Sequence, residues 1–169
     1  MINSNRTPAS SMALGGVLAT LSVVIMGLGG MIPVATYVCP AMVMLILKMV
    51  LALCGKRVAW AWYGAVALLA ALMSPDKEAA AVFLFLGYYP ILKPWMDRRR
   101  LPWLFKGLFF NVVILVLYWL LMNLMGMDVL RQEFTEMGTV MVLSLLFLGN
   151  ITFFLLDMIL GRKLSRRRK

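Results

Sequence analysis

The chain has 169 residues, is 63% hydrophobic and carries a formal charge of +10, with a mean hydropathy of +0.90. Soluble domains hold roughly 45–50% apolar residues, so the composition excludes an ordinary soluble globule and points to a single integral membrane domain, an all-α polytopic bundle. With no histidine anywhere, His-based metal sites, Ser-His-Asp or Cys-His catalysis and His proton relays are excluded, and because the basic residues sit in short loops between apolar runs they read as membrane topology rather than as a nucleic-acid surface.

Residues 1–11 are polar, with Arg6 and Pro8. They resemble the n-region of a signal peptide, but no small-x-small cleavage site follows, so the first span, residues 12–31, is expected to be retained. That span is rich in small residues. Gly15 and Ala19 share one face, as do Gly16 and Thr20, and small residues four apart let another helix approach closely in lipid. Gly29, Gly30 and Pro33 end it. The second span, residues 35–54, carries Pro40 near its outer end and Lys48 near its inner end, where a long basic side chain snorkels to the headgroups. Cys39 and Cys54 lie on this one helix, about 22 Å apart at 1.5 Å per residue, too far for a disulfide.

The basic turn Gly55-Lys56-Arg57 leads to a short third span, residues 58–73. Trp60 and Trp62 are expected at its inner interface, the level that indole rings prefer. Ala61/Ala65 and Ala67/Ala71 repeat the four-residue small spacing. The chain is organised around residues 74–100, which open on Asp76, Lys77 and Glu78 and close on Asp97, Arg98, Arg99 and Arg100. Ser74 or Asp76 suits the N-cap of the fourth span, residues 77–95. Pro90 and Pro94 interrupt that span and predict a kink near Tyr88 and Tyr89.

Lys93 and Lys106 flank the arginine triplet, in a loop suited to anionic lipid or an acidic partner. The fifth span is residues 101–125, with Asn111 and Asn123 as its polar members. In the segment 126–138, Leu130, Phe134 and Met137 fall on one face of a short interfacial helix. The sixth span, residues 139–160, has Asn150 at mid-depth. Asp157 lies near its inner end, within reach of Arg162 or Lys163.

Lys and Arg near span ends stay on the cytoplasmic side. Six spans with both termini cytoplasmic place fifteen of the seventeen basic residues inside, leaving Lys77 and Arg131 outside. Asp76, Glu78, Asp128, Glu133 and Glu136 then face out. The expected location is the plasma (inner) membrane of a bacterium, with the lipid bilayer as the first partner.

No catalytic motif is present: no GxSxG, HExxH or Walker A sequence and no paired intramembrane aspartates. The expectation is a non-enzyme with no metal and no cofactor. Ligand-binding candidates are the groups that offer both charges or an aromatic wall on the outer half: Asp76, Lys77, Glu78, Tyr88, Tyr89 and Arg131. Each also has a structural reading, as a solvated cap or a helix contact.

Six spans, both termini inside, this length, and small-residue stripes on the first and third spans make the chain resemble a substrate-binding S component of energy-coupling-factor importers. That resemblance implies a membrane subunit that captures a vitamin-like solute and works with a transmembrane coupling protein and two ATPases. It also implies that small-residue motifs on the first and third helices meet the coupling protein. The matching positions here are Ala9/Ala13 or Gly15/Ala19, and Ala61/Ala65 or Ala67/Ala71. The alternative is a non-transport membrane scaffold or assembly protein whose basic loop and tail are the working surface.

Overall fold

The structure is a computed structural model that describes residues 8–28, 35–123 and 138–162. Everything described there is helix or short turn. In chain order the helices are α1 (Pro8–Leu28), α2 (Ala35–Cys54), α3 (Lys56–Met73), α4 (Lys77–Leu86), α5 (Tyr89–Met96), α6 (Pro102–Asn123) and α7 (Gly138–Arg162). Among the described residues four stretches are long and apolar enough to cross a membrane: Ala35–Cys54, Lys77–Met96, Pro102–Asn123 and Gly138–Gly161. Met12–Leu28 is a shorter apolar stretch, and the 18 residues of α3 include Lys56 and Arg57. The six expected spans thus correspond to four helices of spanning length and two weaker ones.

The fourth span is broken where the kink is expected. Its two halves, α4 and α5, meet at Gly87 and Tyr88. A Cβ on Gly87 would overlap the Phe83 carbonyl oxygen and lie 2.7 Å from the Phe83 ring, so the close approach there needs glycine. Pro90 falls in the first turn of α5, where a missing N–H leaves no bond unmade. Gly55, between α2 and α3, has φ +86°, a conformation that side chains rarely adopt.

The chain divides into two compact units, residues 1–94 and 95–169. In the first, α1 packs on α2 and α3, and α4 packs on α2 and α3. Its core includes Met26, Val43, Leu47, Val50, Val66 and Phe83, all fully buried. Hydrogen bonds tie α1 to α3 at two levels. The Trp62 indole donates to the Gly15 carbonyl at 3.0 Å, and the Ser74 hydroxyl donates to the Met26 carbonyl at 3.1 Å. The two helices therefore run parallel. Trp62 is 5% exposed, its ring enclosed within the first unit. A buried indole N–H needs an acceptor, and a glycine carbonyl is unshielded enough to provide one.

In the second unit α6 packs on α7. Their contacts climb one helix as they descend the other, so the pair is antiparallel. Phe110 stacks on Phe153 with centroids 4.8 Å apart. Phe110 lies over Gly149 and Phe154 over Gly107, 3.4 and 3.6 Å from where a Cβ would stand. Between these rings Asn111 and Asn150 exchange two amide hydrogen bonds, each of 3.0 Å. Each amide also bonds a carbonyl of its own helix, Gly107 or Leu146. No carboxamide hydrogen is left to face lipid, where an unmet polar group costs several kcal/mol. The outer faces of both helices are large and apolar, with Leu108, Leu115, Trp119, Val140, Leu143 and Phe147 all more than 59% exposed, as suits lipid.

Candidate functional site

The acidic turn is built by the start of α4. Asp76 is its N-cap: Oδ1 accepts from the Ala79 N–H at 2.9 Å. The other oxygen, Oδ2, accepts from the Thr36 hydroxyl at 2.7 Å. The Tyr37 hydroxyl donates to Glu78 at 2.8 Å. Both bonds tie the start of α2 to the start of α4. Lys77 turns back onto the end of α3, its ammonium donating to the Ala71 carbonyl at 3.1 Å. Ser74 is the C-cap of α3, not the N-cap of α4. The three charged candidates of this turn are thus brought together, and each makes a bond that holds helix ends in place.

Tyr88 and Tyr89 lie elsewhere. Twelve positions of mostly helical chain separate Asp76 from Tyr88, about 18 Å at the helical rise. Tyr89 is fully buried. Tyr88 is half-buried among rings: its plane stacks on Trp60 with centroids 6.4 Å apart and meets Tyr63 edge-on at 5.8 Å. Tyr63 also packs on Phe83 and donates its hydroxyl to the Leu84 carbonyl. Trp60 remains 40% exposed. Arg131 and the expected interfacial helix over 126–138 fall, but for Gly138, outside the described residues.

The small-residue stripes divide by face. On α1, Gly15 is buried beneath Trp62, Ala19 is half-buried, and Ala13 and Gly16 are exposed. The side chain of Ala9 is outside the described residues. On α3, Ala67 is buried and Ala71 half-buried, while Ala61, Gly64 and Ala65 are exposed. One small-residue face of each helix therefore packs inside its own unit, and the other is turned outward.

The constellation that sequence reasoning missed lies in the second unit. Lys106 is 5% exposed and pairs with two carboxylates, Asp97 and, at 2.9 Å, Asp157. The sequence reading placed Lys106 in the basic loop and gave Asp157 a partner at Arg162 or Lys163. In the structure Asp157 bonds Lys106. The tail from residue 163 and the Arg162 side chain are outside the described residues. The signal was present: Lys106 and Asp157 lie at similar depth from the same end of two successive apolar helices, which an antiparallel hairpin must bring together.

A groove of about 330 Å³ runs along α7, lined by Phe147, Asn150, Ile151, Phe154, Leu155 and Met158. Its polar member, Asn150, is already engaged by Asn111. Cys39 and Cys54 carry no disulfide. Among the described residues no group of three His, Cys, Asp or Glu side chains is placed to hold a metal.

Fold and site together define an all-helical protein with helices suited to a membrane. Comparison with protein-family models, with curated proteins and with solved structures finds no match.

Proposed function

We propose that the chain is the membrane-embedded solute-binding subunit of a bacterial small-molecule importer, working with a separate transmembrane coupling protein and ATPases. It sits in the plasma membrane with both termini cytoplasmic. The supporting observation is the outward small-residue face on two parallel helices, Ala13 and Gly16 on α1 and Ala61, Gly64 and Ala65 on α3. Small residues on an exposed membrane helix let a partner helix approach to backbone distance. In this reading ATP is hydrolysed elsewhere, and no residue of this chain makes or breaks a bond. The solute enters from the end of the molecule that carries Asp76 and Glu78.

The test is gentle extraction from the native membrane followed by mass spectrometry of whatever accompanies the chain. A transmembrane protein, an ATPase pair and a retained small molecule are expected. Ala61→Leu with Ala65→Leu, on an exposed face, should release the companions while leaving the helix content unchanged. A chain that extracts alone and binds no solute overturns the proposal.

A scaffold role is the second reading. It is favoured by the internal bonds of Asp76, Lys77 and Glu78, which leave these charges tied to helix ends. Loss of the protein's cellular function on neutralising Arg98, Arg99 and Arg100, with Glu78→Gln silent, would favour it.

A further inference from the structure

The turn between α5 and α6 has a chemistry that the importer reading leaves unused. It follows one apolar stretch, Lys77–Met96, and precedes another, Pro102–Asn123. A tight turn between two spanning helices lies at headgroup depth. The backbone is compact: Arg98 N–H donates to the Trp95 carbonyl at 3.3 Å and Arg99 N–H to the Met96 carbonyl at 3.1 Å. Arg98, Arg99 and Arg100 are all exposed.

Arg99 does not wave freely. Its guanidinium carbon lies 4.2 Å from the Trp95 ring centroid and 5.6 Å from that of Phe105, and these two rings meet edge to face at 5.8 Å. Stacking occupies the face of the guanidinium and leaves its N–H edge to bond an acceptor, the geometry in which arginine recognises phosphate. Asp97, the acid adjacent in sequence, directs its carboxylate to Lys106. Among the described residues no carboxylate forms an ion pair with the three arginines.

The surroundings say what kind of anion fits. Trp95 is 50% exposed, Leu101 56% and Trp103 63%, so apolar surface flanks the guanidiniums within one loop. A free phosphate would meet only the charges, and a water-facing acidic peptide would leave the rings and Leu101 uncovered. An anionic phospholipid matches both parts: a phosphate for the arginine edges, and glycerol and upper acyl chain against the indoles, which favour that depth. We infer that the 97–105 segment is a binding site for the phosphate headgroup of an anionic phospholipid, with Arg99 held ready by Trp95 and Phe105.

Each basic residue near an anionic surface contributes about fivefold, so three contribute on the order of a hundredfold in preference for an anionic over a zwitterionic lipid. The experiment uses the purified full chain in bilayer discs of mixed phosphatidylglycerol and phosphatidylcholine, with native mass spectrometry of the lipids that stay bound. Phosphatidylglycerol should be strongly enriched. Neutralising Arg98, Arg99 and Arg100 to glutamine should abolish the enrichment, whereas the same change at Arg166, Arg167 and Arg168 in the tail, which removes equal charge, should leave it. Arg99→Lys, which keeps the charge but not the planar stack, should lose a clear part of it. Absence of enrichment in the wild-type chain, an equal loss from the tail variant, or an unaltered Arg99→Lys variant would each overturn the inference. So would a patch that shows no lipid preference when pure yet retains an acidic protein in native membranes.

Discussion

Replacing Lys106 by methionine removes a charge that two carboxylates share. The stem volume is kept, so the change is electrostatic. Lys106 is 5% exposed, and the side chains of Asp157 and Asp97 are 15% and 45% exposed. Without the ammonium, Asp157 loses its charged bond at a mostly buried position, and breaking such a pair from one side costs about 3–5 kcal/mol. Asp97 stands half in water, so Asp97→Asn should cost no more than about 1 kcal/mol. Asp157→Asn leaves Lys106 its other partner and loses one charged hydrogen bond, about 1.5–3 kcal/mol. Removing both buried members, Lys106→Met with Asp157→Leu, should restore stability to within about 1–2 kcal/mol of the wild type, because a well-packed apolar pair often replaces a buried ion pair without loss. Wild type, Lys106→Met, Asp157→Leu and the double variant form a double-mutant cycle, read by reversible unfolding in mixed micelles with circular dichroism. If Lys106→Met is no worse than Asp97→Asn, or if the double variant is as unstable as Lys106→Met alone, the account of this centre is wrong.

Two further outcomes follow from the first unit. Asp76→Ala should lower stability by about 2–4 kcal/mol, from loss of the helix cap and of the charged bond to Thr36, while Asp76→Asn should retain most of the cap; equal thermal shifts for the two would deny Asp76 its capping role. Gly87→Ala should destabilise by about 1–3 kcal/mol through the overlap with Phe83, whereas Gly16→Ala, where a Cβ meets nothing within 4 Å, should be neutral or gain about 0.5–1 kcal/mol of helix propensity; a thermal melt of both variants decides it.

Much of the architecture was legible in the residues because membrane helices announce themselves by length and polarity. The helix starts at Ala35 and Lys77 match the expected span starts, the break at Gly87 and Tyr88 falls where Pro90 pointed, and Asp76 caps as its position suggests. What could not be read were partnerships between distant segments. Trp62 bonds a residue 47 positions away, and Lys106 one 51 positions away. A Trp near a basic turn reads as an interfacial ring, and a Lys near an arginine triplet reads as loop charge, until the opposing helix is placed beside it. The small-residue stripes carried a related ambiguity. Spacing put Ala61 with Ala65 and Ala67 with Ala71, but only packing shows that the first pair faces out and the second lies against neighbours. Tyr88 and Tyr89 were legible as adjacent rings at a kink, not as one stacked in a cluster and one fully enclosed.

The two bonds between α1 and α3 also limit how this part of the protein can move. One lies near the beginning of each helix and the other near the end, on the order of 17 Å apart at the helical rise. Sliding either helix past the other by a single turn, about 5.4 Å, would break both bonds at once and take the buried Trp62 indole away from the carbonyl it donates to. The pair is therefore a strut rather than a ratchet: any rearrangement must carry α1 and α3 along together, as one rigid lever.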